Sequence, residues 1–224
     1  MKRTLLFGFF ISLINFTQAQ DLDAYKLSGG LMVNDKKYVT YDKLPFFKES
    51  FLKGKIVTDK GKVISPVNLR FDMYANELQF IKDKRIYLVS EPVNEFVLYQ
   101  ESDSLNSTFI FRRYKLDVGG KEVPAFCEVL YDGETKLLKY VKRSETEKVN
   151  MTSATTVKTF IDYEVAYLQK GKDGKPIKLD KNGKNLLPLL SDKAQQVNEY
   201  VKTNRIKLNN EEQLVSLLKY YDSL

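Results

Sequence analysis

The sequence predicts an α+β fold, a predominantly antiparallel sheet of about ten short strands followed by two C-terminal helices packed on it. Three observations carry this expectation. From residue 31 to residue 179 the chain is a series of short runs rich in Phe, Tyr, Val and Ile, each about strand length and cut by Asn, Asp or Gly. Beyond residue 186 apolar residues recur at helical instead of alternating spacing. Strands first and helices last is the order of an α+β domain, not of repeated βαβ units. The expected organisation is a removable leader over residues 1–19, a β-rich domain over 20–183, and a helical segment over 184–224 packed on the same domain.

Taken in order, Leu31-Met32-Val33 and residues 37–41 read as short strands about an Asn34-Asp35 turn. Residues 51–57 and 62–69 flank Asp59-Lys60-Gly61, a hairpin candidate. Strand-length runs follow at 68–74, 77–81 and 85–89, with Asn76 and Asp83-Lys84 as the turns between them. Residues 93–99 and 108–118 continue the series across a polar loop at 100–107. Asp132-Gly133 separates two apolar arms, 126–131 and 135–141, in the manner of a type I′ hairpin. Residues 144–156 are polar and read as a loop or an exposed edge, and 160–168 alternate again. After the turn-rich stretch 171–183, Ser191 or Asp192 suits a helix N-cap before 193–203, and Asn209 stands at capping-box spacing from Glu212.

Met1-Lys2-Arg3 is a short basic start, and residues 4–16 are almost wholly apolar. Thr17-Gln18-Ala19 then places small residues three and one positions before Gln20. This is the pattern of a secretory signal peptide, and the run is shorter than the ~20 residues of a membrane-spanning helix. The expectation is a soluble exported protein, periplasmic or extracellular. No cysteine stands near the cleavage point to carry a lipid anchor, and no later apolar stretch is long enough to span a membrane.

The chain is 43% hydrophobic with 14 Phe and 14 Tyr but no Trp, ample for a core. Its formal charge of +7 includes Lys2 and Arg3 of the leader. The cations are mostly Lys interspersed with acids, whereas phosphate and base recognition favours Arg, so nucleic-acid binding is not expected. Cys127 is the only cysteine; its strand-like setting predicts a buried structural thiol and no intramolecular disulfide. Histidine is absent, which excludes Ser-His-Asp and Cys-His catalysis and every His-ligated metal or haem site. No cofactor is expected. Carboxylate, Lys or Tyr chemistry, calcium binding, or no chemistry at all remains.

Asp180-Lys181-Asn182-Gly183 begins like a calcium loop, but Lys184 stands where an oxygen ligand should and no closing Glu follows, so a plain turn is expected. Lys170, Lys172, Lys175, Lys178, Lys181 and Lys184 form the densest basic stretch and read as a solvated tip alternating with Asp173 and Asp180. Arg112-Arg113 reads as a pair of charges on the solvent side of a strand. Asp72, Glu77, Glu95, Glu128 and Asp132 are the candidates for a pair of facing carboxylates, without catalytic roles assigned to any. Asp103-Ser104-Leu105 and Asp222-Ser223-Leu224 match the short acceptor pattern of periplasmic O-glycosylation.

Two segments, residues 67–80 and the tail from Tyr167 to Tyr221, resemble a family of uncharacterised exported Gram-negative bacterial proteins. The resemblance implies an envelope or secreted protein and carries over no catalytic residue. The function expected is therefore non-enzymatic: an exported cell-envelope protein that binds a protein partner or an apolar, lipid-like ligand through its sheet. The alternative is a carboxylate-dependent hydrolase of envelope glycans.

Overall fold

A computed structural model describes residues 27, 29–101, 106–150 and 155–224. The leader and the first Asp-Ser-Leu triplet lie outside them. Ten strands form one antiparallel sheet: β1 Leu52–Thr58, β2 Val63–Asp72, β3 Glu77–Lys82, β4 Arg85–Leu88, β5 Val93–Gln100, β6 Ser107–Val118, β7 Lys121–Asp132, β8 Thr135–Asn150, β9 Thr155–Lys170 and β10 Ile177–Lys178. Three helices follow, α1 Leu186–Leu189, α2 Ala194–Thr203 and α3 Glu211–Ser223. None is long and apolar enough to cross a membrane. The α+β class read from the sequence is the observed one.

The strand order is β10-β9-β8-β7-β6-β5-β1-β2-β3-β4. Two meanders thus join where β5 lies against β1, after the chain has returned from β4 at the far edge. The sheet is strongly curled. Flat strands lie about 4.8 Å apart, which would put β2 and β7 about 19 Å from each other. Instead the rings of Phe71 on β2 and Phe126 on β7 meet with centroids 5.8 Å apart. Phe96 and Phe111, a cross-strand pair of β5 and β6, stack between them at 4.9 Å. Leu69, Ile56, Leu98 and Phe80 complete this aromatic core.

Residues 38–47 form a strap across the opening of the curl. The Phe47 N–H donates to Phe71 O at 2.9 Å and the Met73 N–H to Pro45 O at 3.0 Å, binding the strap to the end of β2. At its other end the Asp42 N–H donates to Lys158 O of β9 at 2.9 Å. Tyr38, Tyr41 and Phe160 fill the gap: the Tyr41 and Phe160 rings stack at 4.8 Å, and the Tyr38 ring meets both edge-on.

Several local expectations are corrected. Residues 31–33 and 37–41 do not pair with each other. Met32 bridges to Tyr87, covering the β4 edge, while Asp35–Tyr38 is a 3-10 turn that drives the Tyr38 ring into the strap cluster. Of the two readings of residues 144–156, the exposed strand is observed over 144–150 and 155–156 and the loop is not: β8 and β9 pair continuously from Thr135↔Lys170 to Asn150↔Thr155, because alternating Thr, Glu and Lys suits a two-stranded ribbon with wet faces.

The type I′ turns are Asp83-Lys84 and Gly119-Gly120, where both central residues have positive φ; Asp132-Gly133 is not one. The glycine at 133 is required by a close approach instead, since a Cβ there would run into the Asp222 carboxylate and the Tyr131 hydroxyl.

In the helical segment, Ser191–Lys193 is a 3-10 turn rather than a cap, and the Asp192 carboxylate accepts from Lys170 and from the Tyr221 hydroxyl. The last helix is capped by Asn210, one residue later than read, whose Oδ1 accepts from the Gln213 N–H at 2.9 Å. Leu214, Leu217, Leu218 and Tyr221 on α3 bury against Leu137 and Leu168 of β8 and β9, with Val197 of α2 in the same cluster.

Candidate functional site

The helices cover only the β8–β9 end of the curled face, and the aromatic core fills the β1–β6 end. Between them lies a groove. Its first part is a cavity of about 370 Å³ lined by Phe47, Phe71, Met73, Phe111 and Phe126 and by Glu128, Lys139, Arg143, Asp162 and Glu164. A second cavity, of about 880 Å³, shares Lys139, Asp162 and Glu164 and runs on beneath Glu211 and Leu214 of α3.

Strand alternation builds the charged wall. Glu128↔Lys139, Val141↔Glu164 and Arg143↔Asp162 are direct cross-strand partners, and residues two apart on a strand share a face. Lys139 and Arg143 on β8 therefore face the same way as Asp162 and Glu164 on β9. The aromatic wall comes from the strap, β2, β6 and β7, which the curl brings round to meet it.

The charges are mostly paired. The Arg143 guanidinium is nearly buried and grips Asp162 in a two-pronged ion pair, Nε to Oδ1 at 2.6 Å and Nη2 to Oδ2 at 2.7 Å. Its Nη1 also donates to Leu44 O and Phe46 O of the strap, and Lys43 reaches Asp162 at 2.9 Å. Arg143 first, with Lys43 in support and against the opposing effect of burial, holds the Asp162 carboxyl below its ordinary pKa.

Lys139 lies 3.4 Å from Glu128 and 3.0 Å from Glu211. Burial pushes the Glu128 carboxyl up, and Lys139 only partly offsets it. Burial alone would lower the Lys139 ammonium, but the two acids keep it raised. The Glu164 carboxylate has neither hydrogen-bond nor ion-pair partner among the described residues. The cavity thus offers an aromatic wall, a neutralised ionic wall and one free carboxylate.

The residues singled out from sequence fall elsewhere, Glu128 excepted. Asp72 is wholly buried and structural: it accepts from the Tyr38 hydroxyl at 2.8 Å and from the Tyr74 and Ala75 N–H groups. Glu77 is its cross-strand neighbour. Glu95 and Asp132 are brought together, but as joint partners of Arg112, which lies 2.7 and 2.9 Å from them. Arg113 packs over Phe126 and donates to Val93 O, so neither arginine of the pair is a free surface charge.

In the basic stretch, Lys170 is tied to Asp192 and Lys175 to Glu122. Asp180 to Gly183 is a turn closed by the Gly183 N–H on Asp180 O at 2.7 Å. No cluster of three His, Cys, Asp or Glu side chains suited to a metal ion occurs among the described residues. Cys127 is completely buried between Leu116, Ala125, Leu138 and Tyr167, and burial pushes its thiol up to about 12. Ser223 donates to Tyr220 O at 2.6 Å on the last turn of α3.

Sequence reading missed Lys139, Arg143, Asp162 and Glu164. The available signal was charge at every second position of two strands otherwise read as packed. Compared with protein-family models, curated proteins and solved structures, the chain matches none.

Proposed function

We propose that this chain is a non-enzymatic binding protein of the bacterial cell envelope that holds an amphipathic, lipid-like molecule in its concave face. The observation that carries the reading is the cavity of about 370 Å³, in which Phe47, Phe71, Met73, Phe111 and Phe126 face an ion-paired wall. Such a site takes an apolar body against the rings and orients it by a few polar groups at one end. With Arg143 and Lys139 already neutralised by acids, the free group is the Glu164 carboxylate. The ligand's polar end is then a hydrogen-bond donor or an ammonium. The N-terminal signal pattern supports the envelope as the place of action.

The test is organic extraction and mass spectrometry of protein made in its native compartment, combined with titration by a fluorescent long-chain alkylamine. A co-purifying amphiphile displaced by the alkylamine is the expected result, with Glu164→Gln weakening alkylamine binding. Protein that emerges empty and binds no alkylamine would overturn the reading.

A second reading has one observation in its favour: Glu128 with a raised pKa and Asp162 with a lowered one line the same cavity, the pattern of an acid and a base in glycoside hydrolysis. Against it, Lys139 holds the first and Arg143 grips the second. Release of reducing ends from envelope glycans that Glu128→Gln abolishes would favour the hydrolase over the binder.

A further inference from the structure

The reverse face of β8 and β9 carries a separate groove of about 580 Å³. Its floor is Tyr140, Tyr163, Val165 and Tyr167, which strand alternation places opposite to Arg143 and Asp162. The β6–β7 turn curls over one side, where the Tyr167 hydroxyl donates to Asp117 O at 3.2 Å from three strands away. Pro176 and Ile177 wall the other side. On the same face Leu116, Cys127 and Leu138 are fully buried and packed against Tyr167, which anchors the floor.

Tyr163 is 55% exposed and stands directly across from Lys142. Lys142 and Lys178 line the groove, and neither ammonium group has a hydrogen-bond or ion-pair partner among the described residues. Of the two acids lining the groove, Glu122 pairs with Lys175 at 3.3 Å, and Asp117 caps the turn by accepting from the Gly120 N–H at 2.8 Å. Two unpaired ammonium groups beside a tyrosine floor complement a body that carries negative charge. Tyrosine rings pack on the C–H face of a sugar ring while their hydroxyls bond its oxygens, and lysine supplies point charges for carboxylates.

We infer that this groove binds an acidic saccharide, a short stretch of carboxylate-bearing sugar polymer. The inference does not rest on the reading of the concave cavity, whose charged side chains Lys139, Arg143, Asp162 and Glu164 lie on the other face of these strands.

The test is calorimetric titration of the full secreted chain with a uronic acid trisaccharide, a neutral glucose trisaccharide, and phosphatidylglycerol vesicles. Binding of the acidic sugar alone, weakened by salt, is the expected result. Tyr163→Ala should weaken it about tenfold, the loss of one aromatic packing partner. Lys142→Gln with Lys178→Gln should remove most of its salt dependence. These side chains are exposed, and unchanged circular dichroism checks that the variants fold. Equal binding of the neutral sugar, binding of vesicles without the acidic sugar, or variants that bind like the parent would each overturn the inference.

Discussion

Arg143 and Asp162 face each other across β8 and β9 in a two-pronged ion pair, and the same guanidinium donates to two strap carbonyls almost a hundred residues earlier in sequence. One side chain therefore joins the sheet, the strap and the charged wall of the cavity.

Arg143→Met should release the strap. It leaves Asp162 with only Lys43 and strands two carbonyls, so the expected loss is about 2–3 kcal/mol, typical of charged hydrogen bonds. Urea unfolding measures the loss. Hydrogen exchange should show the amides of Asp42 and Phe47 losing protection before those of the core strands. Equal protection in both proteins would show that the strap does not depend on this side chain. Arg143→Lys restores the charge but not the fork, and should recover only part of the stability.

The pH dependence follows from Asp162. Its pKa is lower in the folded chain than the unfolded value of about 3.9, so its contribution is present above that value and is lost as pH falls through the depressed one. Asp132, held low by Arg112, acts in the same direction. Glu128 is raised and has the opposite sign: its favourable share is present at low pH and is lost as pH rises through its folded value. Urea midpoints should fall as acidity increases below about pH 4. Asp162→Asn should be less stable at neutral pH yet show a shallower acid decline; a parallel decline would remove Asp162 from this account.

Cys127 should resist thiol reagents in the folded state. Its thiol is fully buried and held at about 12, so almost none is thiolate at neutral pH. Labelling should become complete only in denaturant, and rapid labelling of the native protein would contradict the packing. Cys127→Ser puts an unpartnered hydroxyl in an apolar cluster and should cost about 1–3 kcal/mol.

Gly133→Ala should loosen the C-terminal helix although the backbone there has an ordinary φ. The added methyl displaces Asp222, whose carboxylate accepts from the Thr135 N–H and hydroxyl and from the Tyr131 hydroxyl. About 2 kcal/mol is expected, with Asp222→Ala giving a similar loss and the double variant little more than either alone. Additive losses in the cycle would show that the two residues act separately.

The sequence by itself determined the class of fold, the burial of Cys127, the helical faces of Val197 and Leu217, and the chemistry that the absence of histidine forbids. These follow from composition and from the periods of two and 3.6 residues, which are properties of neighbouring positions. Tertiary structure decided the rest. Tyr38 and Asp72 meet because the sheet curls, and it curls because Phe71 packs on Phe126 across three intervening strands. No local pattern encodes that contact.

The turn at Gly133 likewise takes its shape from a carboxylate 89 residues later, not from its Asp-Gly dipeptide. Glu128 was legible as a candidate acid, but Lys139, Arg143, Asp162 and Glu164 were not. Their shared face depends on the β7–β8–β9 register, and charges at alternate positions of a strand look the same whether they face bulk water or a cavity.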